Sequence, residues 1–264
     1  MKLLSGKELV DFIKEKQARE VRSLIQSKKI TPRLGIIVTS NNPVIETYVR
    51  LKQKYAEDIL IETEVHHIEM DELSDEINEL NDNKLVHGII LQLPLRKPDR
   101  TDEHVKQIAP DKDVDGLGCD DFFIPATAMA IDWLVNGYNI NLSEKRIAIV
   151  GSQGRLVGKP LMKLWDKYTP TGFDIGSDLN QLKNYNLIVT ATGQARLIKS
   201  GMIGVGGVVI DAGTSSEGGK IVGDIDEELY SRDDLTITPQ KGGVGPLTIA
   251  SLMDNVIRSV RMKS

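Results

Sequence analysis

Tyr48 and Lys52 are the first side chains in the sequence whose types and spacing point to chemistry. On a helix, residues four apart project from one face, so this pair would meet over a single substrate. A lysine manages protons near neutral pH only when burial or its neighbours lower its pKa. An exposed tyrosine and lysine often share this spacing by accident. Their position after a strand and the Asn-Asn-Pro turn at 41–43 favours an acid/base site.

Gln92 is a polar residue in an otherwise apolar run, Gly88 to Leu93, which predicts a buried strand. A buried amide destabilises the fold unless its polar atoms find hydrogen-bond partners. One interpretation is a purely structural amide. The other is a hydrogen bond to Lys52 that orients its amine, while burial favours the neutral form.

Three acids stand close together in the loop at 110–116, namely Asp111, Asp113 and Asp115. Their spacing copies the opening of a calcium-binding loop, but the twelfth position is Phe122, where that loop needs a bidentate glutamate. We therefore exclude calcium. A solvated turn and an aspartate that accepts hydrogen bonds from an amino-substituted ring remain as alternatives.

A glycine-punctuated turn follows the apolar run at 147–150 and precedes a predicted helix, with glycines at 151, 154 and 158. Such a turn lets backbone N–H groups approach a phosphate at a helix N-terminus. The spacing matches neither G-x-G-x-x-G nor the Walker pattern. Thr192-Gly193 and Gly213-Thr214 end two further strands, and ligands of doubly wound sheets bind at such ends. A dinucleotide site is favoured over a plain tight turn.

The elements that must position these residues alternate between strands and helices, which predicts two parallel α/β units. A capping box at Ser5 and Glu8 opens an amphipathic helix. Expected strands lie at 34–38, 62–68, 88–93, 146–150, 187–191, 207–210 and 235–238. Expected helices lie at 45–58, 74–83, 126–134 and 247–264. We place the domain boundary near Tyr138 and expect the last helix to return to the first domain.

The composition excludes several classes of function. The 264 residues carry 33 basic and 38 acidic side chains, a net charge of −5, without a basic block, so nucleic acid is not expected as a partner. Cys119 is the only cysteine, and no Cys/His cluster has zinc-ligand spacing, so we expect no metal. With no signal peptide or membrane-spanning run, we expect a cytoplasmic protein without membrane contact.

Five motifs in this order resemble the bifunctional methylenetetrahydrofolate dehydrogenase/cyclohydrolase family. They are Tyr48-Val-Arg-Leu-Lys52, Gly88-Ile-Ile-Leu-Gln92-Leu-Pro94, Pro110-Asp-Lys-Asp-Val-Asp115-Gly116, Arg155-Leu-Val-Gly158-Lys-Pro160 and Gly242-Gly-Val-Gly-Pro246-Leu-Thr248. The resemblance implies an N-terminal αβα folate-binding catalytic domain at 1–137, completed by helix 247–264. It also implies a Rossmann-type NAD(P)-binding domain at 138–246, with the active site in the cleft between the two, and a homodimer.

By this resemblance, the chain oxidises 5,10-methylenetetrahydrofolate to the 5,10-methenyl form and hydrolyses that to 10-formyltetrahydrofolate, a step of one-carbon metabolism. Lys52 would be the general acid/base, Gln92 would orient it, Tyr48 would position the folate and Asp115 would bind the pterin edge. Substrate contacts would come from these four residues and from Leu91, Leu93, Gly242, Gly243, Val244, Gly245 and Pro246. Cofactor contacts would come from Gly151, Ser152, Gln153, Gly154, Arg155, Val157, Asp174, Thr192, Gly193 and Thr214.

The sequence departs from the family pattern at three places. Ala126 and Ala128 replace residues of Pro-Cys-Thr-Pro, and Lys241 replaces the first proline of Pro-Gly-Gly-Val-Gly-Pro. The cofactor turn has one extra residue and lacks the arginine expected beside a 2′-phosphate, for which Arg155 is a substitute. Asp174 stands where an acid favours a ribose hydroxyl, and hence NAD. The family norm favours NADP, which is the expected cofactor, with NAD as the alternative.

Two other functions fit single features of the sequence. Tyr-x-x-x-Lys is also the dyad of short-chain-type NAD(P)-dependent carbonyl reductases, but in those enzymes the glycine turn precedes the dyad. A non-catalytic nucleotide-sensing module would make Lys52 merely structural. Turnover of methylenetetrahydrofolate distinguishes both alternatives from the main hypothesis.

Overall fold

The computed structural model describes residues 1–40, 42–118, 122–217 and 220–263. Asn41 and Cys119, which the sequence analysis considered, lie outside these ranges. Seven α-helices are described: α1 Gly6–Lys28, α2 Pro43–Asp58, α3 Leu73–Asp82, α4 Thr101–Val105, α5 Ala126–Gly137, α6 Gly158–Leu164 and α7 Val244–Lys263. The strands described are β1 Lys2–Leu3, β2 Arg33–Val38, β3 Glu62–His67, β4 Gly88–Leu91, β5 Ile147–Val150, β6 Thr171–Phe173, β7 Leu187–Thr190, β8 Val208–Asp211, β9 Ser215–Glu217, β10 Lys220–Val222 and β11 Thr236–Ile237.

The chain forms two compact units, which confirms the expected two-domain α/β architecture. We call Asp11–Ala126 with Ile249–Ser264 the three-strand unit, and Met1–Val10 with Thr127–Thr248 the six-strand unit. Most of α7 therefore belongs with the N-terminal part of the chain, as expected. The units divide after Ala126, whereas the boundary near Tyr138 stays a prediction.

The three-strand unit contains a parallel sheet in the order β3-β2-β4. Leu34 of β2 pairs with Thr63 of β3 and with Gly88 of β4. All four residues of β4 are buried, as in a parallel strand that is covered on both faces. One cluster of its core contains Ile37, Met70, Leu73, Ile77, Leu80, Val86, Ile89, Leu91, Leu95, Val105 and Ile108.

The six-strand unit contains a parallel sheet in the order β1-β11-β8-β7-β5-β6. After β5 the chain enters β6 on one side of β5, and the next strand, β7, lies on the other side. This reversal is the switch point at which doubly wound sheets bind ligands. A fully buried tryptophan, Trp165, supports this unit, since its indole N–H donates to Asp132 Oδ1 at 2.8 Å.

Several details were not predicted. The N-terminal strand β1 pairs with β11, and β9 and β10 form a separate antiparallel pair. Strand β4 ends at Leu91, so Gln92 follows the strand instead of lying within it. Helix α7 begins at Val244, three residues earlier than expected. Pro246 is tolerated in its first turn because N–H groups there have no intrahelical partner.

Candidate active site

Helix α2 carries Tyr48 and Lys52 on one face, as the spacing predicted. The side chain of Asn42 caps this helix by accepting a 2.9 Å hydrogen bond from the N–H of Val44, and Pro43 occupies the first helical position. The two residues are half-buried one turn apart. Burial raises the pKa of the Tyr48 phenol, which therefore stays neutral.

Gln92 lies directly after β4 and is 7 % exposed. Its backbone N–H donates to Ile37 O at 2.8 Å, which continues the sheet by one residue. Its side-chain N–H donates to Leu93 O at 3.0 Å, so its carbonyl oxygen is fixed in direction. That oxygen, Oε1, accepts a 2.7 Å hydrogen bond from Lys52 Nζ. The hydrogen bond expected between Lys52 and Gln92 is therefore present.

The charge state of Lys52 depends on two opposing effects. Burial lowers the pKa of its amine, and the negative charge of Asp115 raises it. In return, burial raises the pKa of Asp115, while the positive charge of Lys52 lowers it. Tyr48, Lys52, Gln92 and Asp115 all belong to the three-strand unit. This arrangement can transfer a proton at Lys52 Nζ and bind a donor-rich ring at Asp115.

The loop that carries Asp115 is anchored at its base by hydrogen bonds. Lys112 donates hydrogen bonds to the carbonyls of Leu80, Asn81 and Asn83 near the end of α3. The carboxylate of Asp113 accepts from the N–H groups of Gly116 and Gly118. Two of the three acids in this loop thus have structural partners, since Asp111 pairs with Lys263 at 2.6 Å.

The glycine turn after β5 has the close backbone approaches expected for a dinucleotide site. Gly151 has a φ of +83°, and a Cβ there would lie 2.8 Å from Ala191 O, at the end of β7. A Cβ on Gly158 would lie 2.0 Å from Gly151 O. Both positions therefore require glycine. The turn and the end of β7 meet at the switch point of the sheet.

Asp174 follows β6 and contacts this same turn. Its carboxylate accepts hydrogen bonds from Ser152 Oγ and, at 3.1 Å, from the N–H of Gln153. Of the other expected cofactor residues, Arg155 is half-buried in the turn, and Val157 is buried immediately before α6. Within the six-strand unit, the geometry places a carboxylate beside the glycine turn.

Sequence reasoning assigned no role to two acids that shape the other strand ends, the buried Asp224 and the half-buried Asp211. Asp224 Oδ2 accepts from Thr190 Oγ1 at 2.7 Å and from the N–H of Thr192 at 2.6 Å. Asp211 Oδ1 accepts from the N–H of Gly213 at 2.9 Å. The turns that contain Gly193 and Thr214 lie side by side, because a Cβ on Gly193 would be 3.5 Å from Thr214 O. An acid at the end of the apolar run 207–210 was the available signal.

Gly242, Gly243, Val244, Gly245 and Pro246 belong to the six-strand unit, whereas the other expected folate residues belong to the three-strand unit. Gly242 has a φ of +81°, and its carbonyl accepts from the N–H of Lys7 at 3.1 Å. Leu91 and Leu93 flank Gln92, with Leu91 buried and Leu93 half-buried.

No group of three or more His, Cys, Asp or Glu side chains in the described ranges is placed to hold a metal. Nor does any helix in these ranges have the length and apolar character of a membrane span.

Comparison with known proteins shows which family this chain resembles. Residues 4–115 match the family model for the tetrahydrofolate dehydrogenase/cyclohydrolase catalytic domain, and residues 125–264 match that for its NAD(P)-binding domain. The bifunctional protein FolD of Aquifex aeolicus is 37% identical over 99% of this chain and 96% of its own length. The crystal structure of the bifunctional FolD of Campylobacter jejuni superposes with a TM-score of 0.92 at 34% identity, covering 100% of both chains.

A third relative is the FolD enzyme of Trypanosoma brucei, whose structure was solved as a complex with NADP and an inhibitor. It is 26% identical to this chain, with a TM-score of 0.90, and the match covers 99% of this chain and 97% of the other. Both domain models match in chain order, and together they account for most of the sequence. This chain belongs to the tetrahydrofolate dehydrogenase/cyclohydrolase family.

Proposed function

We propose that this protein oxidises 5,10-methylenetetrahydrofolate to 5,10-methenyltetrahydrofolate with NADP and then hydrolyses the product to 10-formyltetrahydrofolate. The observation that carries the proposal is the 2.7 Å hydrogen bond from Lys52 Nζ to the buried Gln92, with the charge of Asp115 acting on the same amine. A buried lysine with a lowered pKa can accept and return a proton near neutral pH.

In the hydrolytic step, water adds to the methenyl carbon, which carries the positive charge shared by N5 and N10. Neutral Lys52 accepts the proton that the water loses as its oxygen bonds to this carbon. The lysine then returns this proton to N5 as the bond from N5 to the carbon breaks. The added hydroxyl loses its remaining proton to solvent water as its oxygen becomes the carbonyl oxygen, which leaves a neutral formyl group on N10. Gln92 holds Nζ in one direction throughout, Tyr48 positions the ring, and Asp115 accepts hydrogen bonds from the amino-substituted edge of the pterin.

The six-strand unit fits a nicotinamide dinucleotide. The glycines at 151 and 158 let the backbone approach its phosphates, and the turns at Thr192-Gly193 and Thr214 lie at adjacent strand ends. When bound, the nicotinamide ring accepts the hydride from the methylene carbon of the folate. NADP is the first candidate because the Trypanosoma brucei relative was crystallised with it.

NAD is a second candidate because of Asp174. Its carboxylate stands directly after β6 and faces the glycine turn, where an acid favours a ribose hydroxyl and repels a 2′-phosphate.

We further propose a cytoplasmic homodimer that needs no metal, as the family resemblance implies. Light scattering of the purified protein measures its subunit number.

The decisive experiment is a spectrophotometric assay with methylenetetrahydrofolate and either NADP or NAD. We expect reduced cofactor to form with NADP, and methenyltetrahydrofolate supplied directly to lose its absorbance as it is hydrolysed. Equal efficiency with both cofactors, or faster turnover with NAD, would overturn the choice of NADP. If neither cofactor supports turnover, the dehydrogenase assignment is wrong, and reduction of simple carbonyl compounds would favour the carbonyl reductase.

A further inference from the structure

Three polar side chains, each only 1 % exposed, form a stripe along α7: Ser251, Asn255 and Ser259. They are four residues apart and lie among apolar neighbours of the same helix. Ser251 Oγ donates to Ala126 O at 2.5 Å, and Ser259 Oγ, which has a single O–H donor, lies 2.6 Å from the carbonyl oxygen of His87 and 2.8 Å from that of Asp111 and shares its proton between them. Because an unpartnered buried polar group is costly, the stripe is explained by the backbone carbonyls that it binds.

Asn255 holds the loop that contains Asp115. Its side-chain nitrogen, Nδ2, donates to Val114 O at 2.9 Å and to Ile124 O at 3.1 Å. One amide group thus connects Val114, the residue before Asp115, with Ile124, which lies shortly before α5. A primary amide has two N–H donors and can serve both carbonyls, which neither a carboxylate nor an aliphatic side chain can do.

The residue after Asp115 is also fixed to the returning segment. Gly116 has a φ of +69°, and a Cβ there would lie 2.8 Å from Phe123 O. Its N–H donates to the carboxylate of Asp113. The backbone of Asp115 is therefore held on both sides, by Asn255 acting on Val114 and by the close approach of Gly116 to Phe123.

We propose that Asn255 is a positioning residue, which sets the place of the Asp115 carboxylate for folate binding through its two hydrogen bonds to the loop carbonyls. This inference rests on the proposed function, in which Asp115 binds the pterin. All of the contacts that support it lie within the three-strand unit. Asn255 itself does not touch the folate.

The test replaces Asn255 by leucine, which keeps the size of the side chain and buries no charge. We expect the KM for methylenetetrahydrofolate and the dissociation constant of tetrahydrofolate to rise by about 10-fold or more, since displacements near 1 Å have effects of that order. The dissociation constant of the nicotinamide dinucleotide should not change. Should Asn255→Leu fail to fold, Asn255→Ser provides the same test with one donor retained.

Two controls separate positioning from general packing. Ser251→Ala removes a buried hydrogen bond from the same stripe and should lower the Tm without changing the KM. In an Asp115→Asn background, the Asn255 substitution should add less than about twofold to the tetrahydrofolate dissociation constant, because coupled residues are not additive. An equal effect in both backgrounds, or a lower Tm with unchanged folate binding, would overturn the inference. Absence of turnover in the unmodified protein would instead overturn the proposed function.

Discussion

Lys52 Nζ donates a 2.7 Å hydrogen bond to Oε1 of Gln92, a side chain that is itself anchored to Leu93 O. The bond fixes the end of a flexible lysine while leaving its other positions on nitrogen for substrate and water. Burial lowers the pKa of this amine, and the charge of Asp115 limits the shift. The hydrogen bond to Gln92 therefore fixes the direction of the Lys52 amine, and its lowered pKa lets the amine give up and regain a proton.

Lys52→Met removes the proton-transferring group. We expect cyclohydrolase activity to fall by at least about 100-fold, the lower range for loss of general acid/base catalysis. Cofactor binding should be unchanged, because the cofactor residues lie in the other unit. The measurements are the loss of methenyl absorbance and titration with NADP. Lys54→Met, which removes an exposed lysine of the same helix, should keep full activity, and full hydrolysis by Lys52→Met would exclude Lys52 from the mechanism.

Asp115→Asn should change the pH dependence of hydrolysis. The charge of Asp115 raises the pKa of Lys52, so its removal lets burial lower that pKa further. If neutral Lys52 is the base, activity rises as pH passes through this pKa, and the acidic limb of the profile should move to lower pH. The measurement is kcat against pH at saturating methenyltetrahydrofolate. Asp111→Asn is the matched loop control, and a limb that stays in place or moves to higher pH contradicts the assignment.

The sequence predicted the pair of Lys52 and Gln92 from two local signals. Lys52 stands at helical spacing from Tyr48, and Gln92 is a polar residue in an otherwise apolar run. It did not predict the role of Asn255, whose carbonyl partners lie 141 and 131 residues away. Backbone acceptors have no residue type, so no pattern reveals them. Strands β9 and β10 were missed because the segment at 215–219 consists of Ser, Glu and Gly, and its serines and glycines are typical of a turn.

Gly158→Ala should weaken the cofactor site. The added Cβ would lie 2.0 Å from Gly151 O, so the turn and the start of α6 must separate. We expect the dissociation constant of NADP to rise by about 10-fold, equivalent to about 1.4 kcal/mol, together with a lower Tm. Gly201→Ala is the control in the same unit, since a Cβ there meets nothing within 4 Å. Unchanged NADP affinity would show that the turn does not bind the phosphates.

Asp224→Asn should change how stability depends on pH. Burial, followed by the charge of Asp224, raises the pKa of Asp211 to about 6. A raised pKa in the folded state stabilises the fold below the unfolded value of 3.8, and this contribution is lost as pH rises through 6. The full shift corresponds to about 3 kcal/mol.

Asp224→Asn removes the charge beside Asp211, so the pKa of Asp211 falls towards its ordinary value. The loss of stability with rising pH therefore becomes smaller. The carbonyl oxygen of the new asparagine can still accept from Thr190 and Thr192, and its nitrogen takes the place of Oδ1, which has no partner within the described residues. Urea unfolding at pH 4, 5, 6 and 7 should show a smaller decrease in the free energy of unfolding than in the parent protein. An unaltered slope would mean that the two acids do not interact, and exposed Asp233→Asn is the control.

Asp174→Ser should shift cofactor preference towards NADP. In the parent protein a carboxylate faces the glycine turn, where it can accept hydrogen bonds from ribose hydroxyls but repels the dianionic 2′-phosphate. Serine removes the charge and supplies a donor, so the dissociation constant of NADP should fall and that of NAD should rise. We expect their ratio to change by about 10-fold, or about 1.4 kcal/mol, measured by calorimetric titration with each dinucleotide. Raised ionic strength should reduce the difference, because salt screens the repulsion.

Asp178→Ser, in the loop that follows, removes a charge that caps a short helix and should leave the ratio unchanged. A constant ratio in Asp174→Ser would mean that its carboxylate serves only to hold Ser152 and Gln153, and that another residue sets the preference.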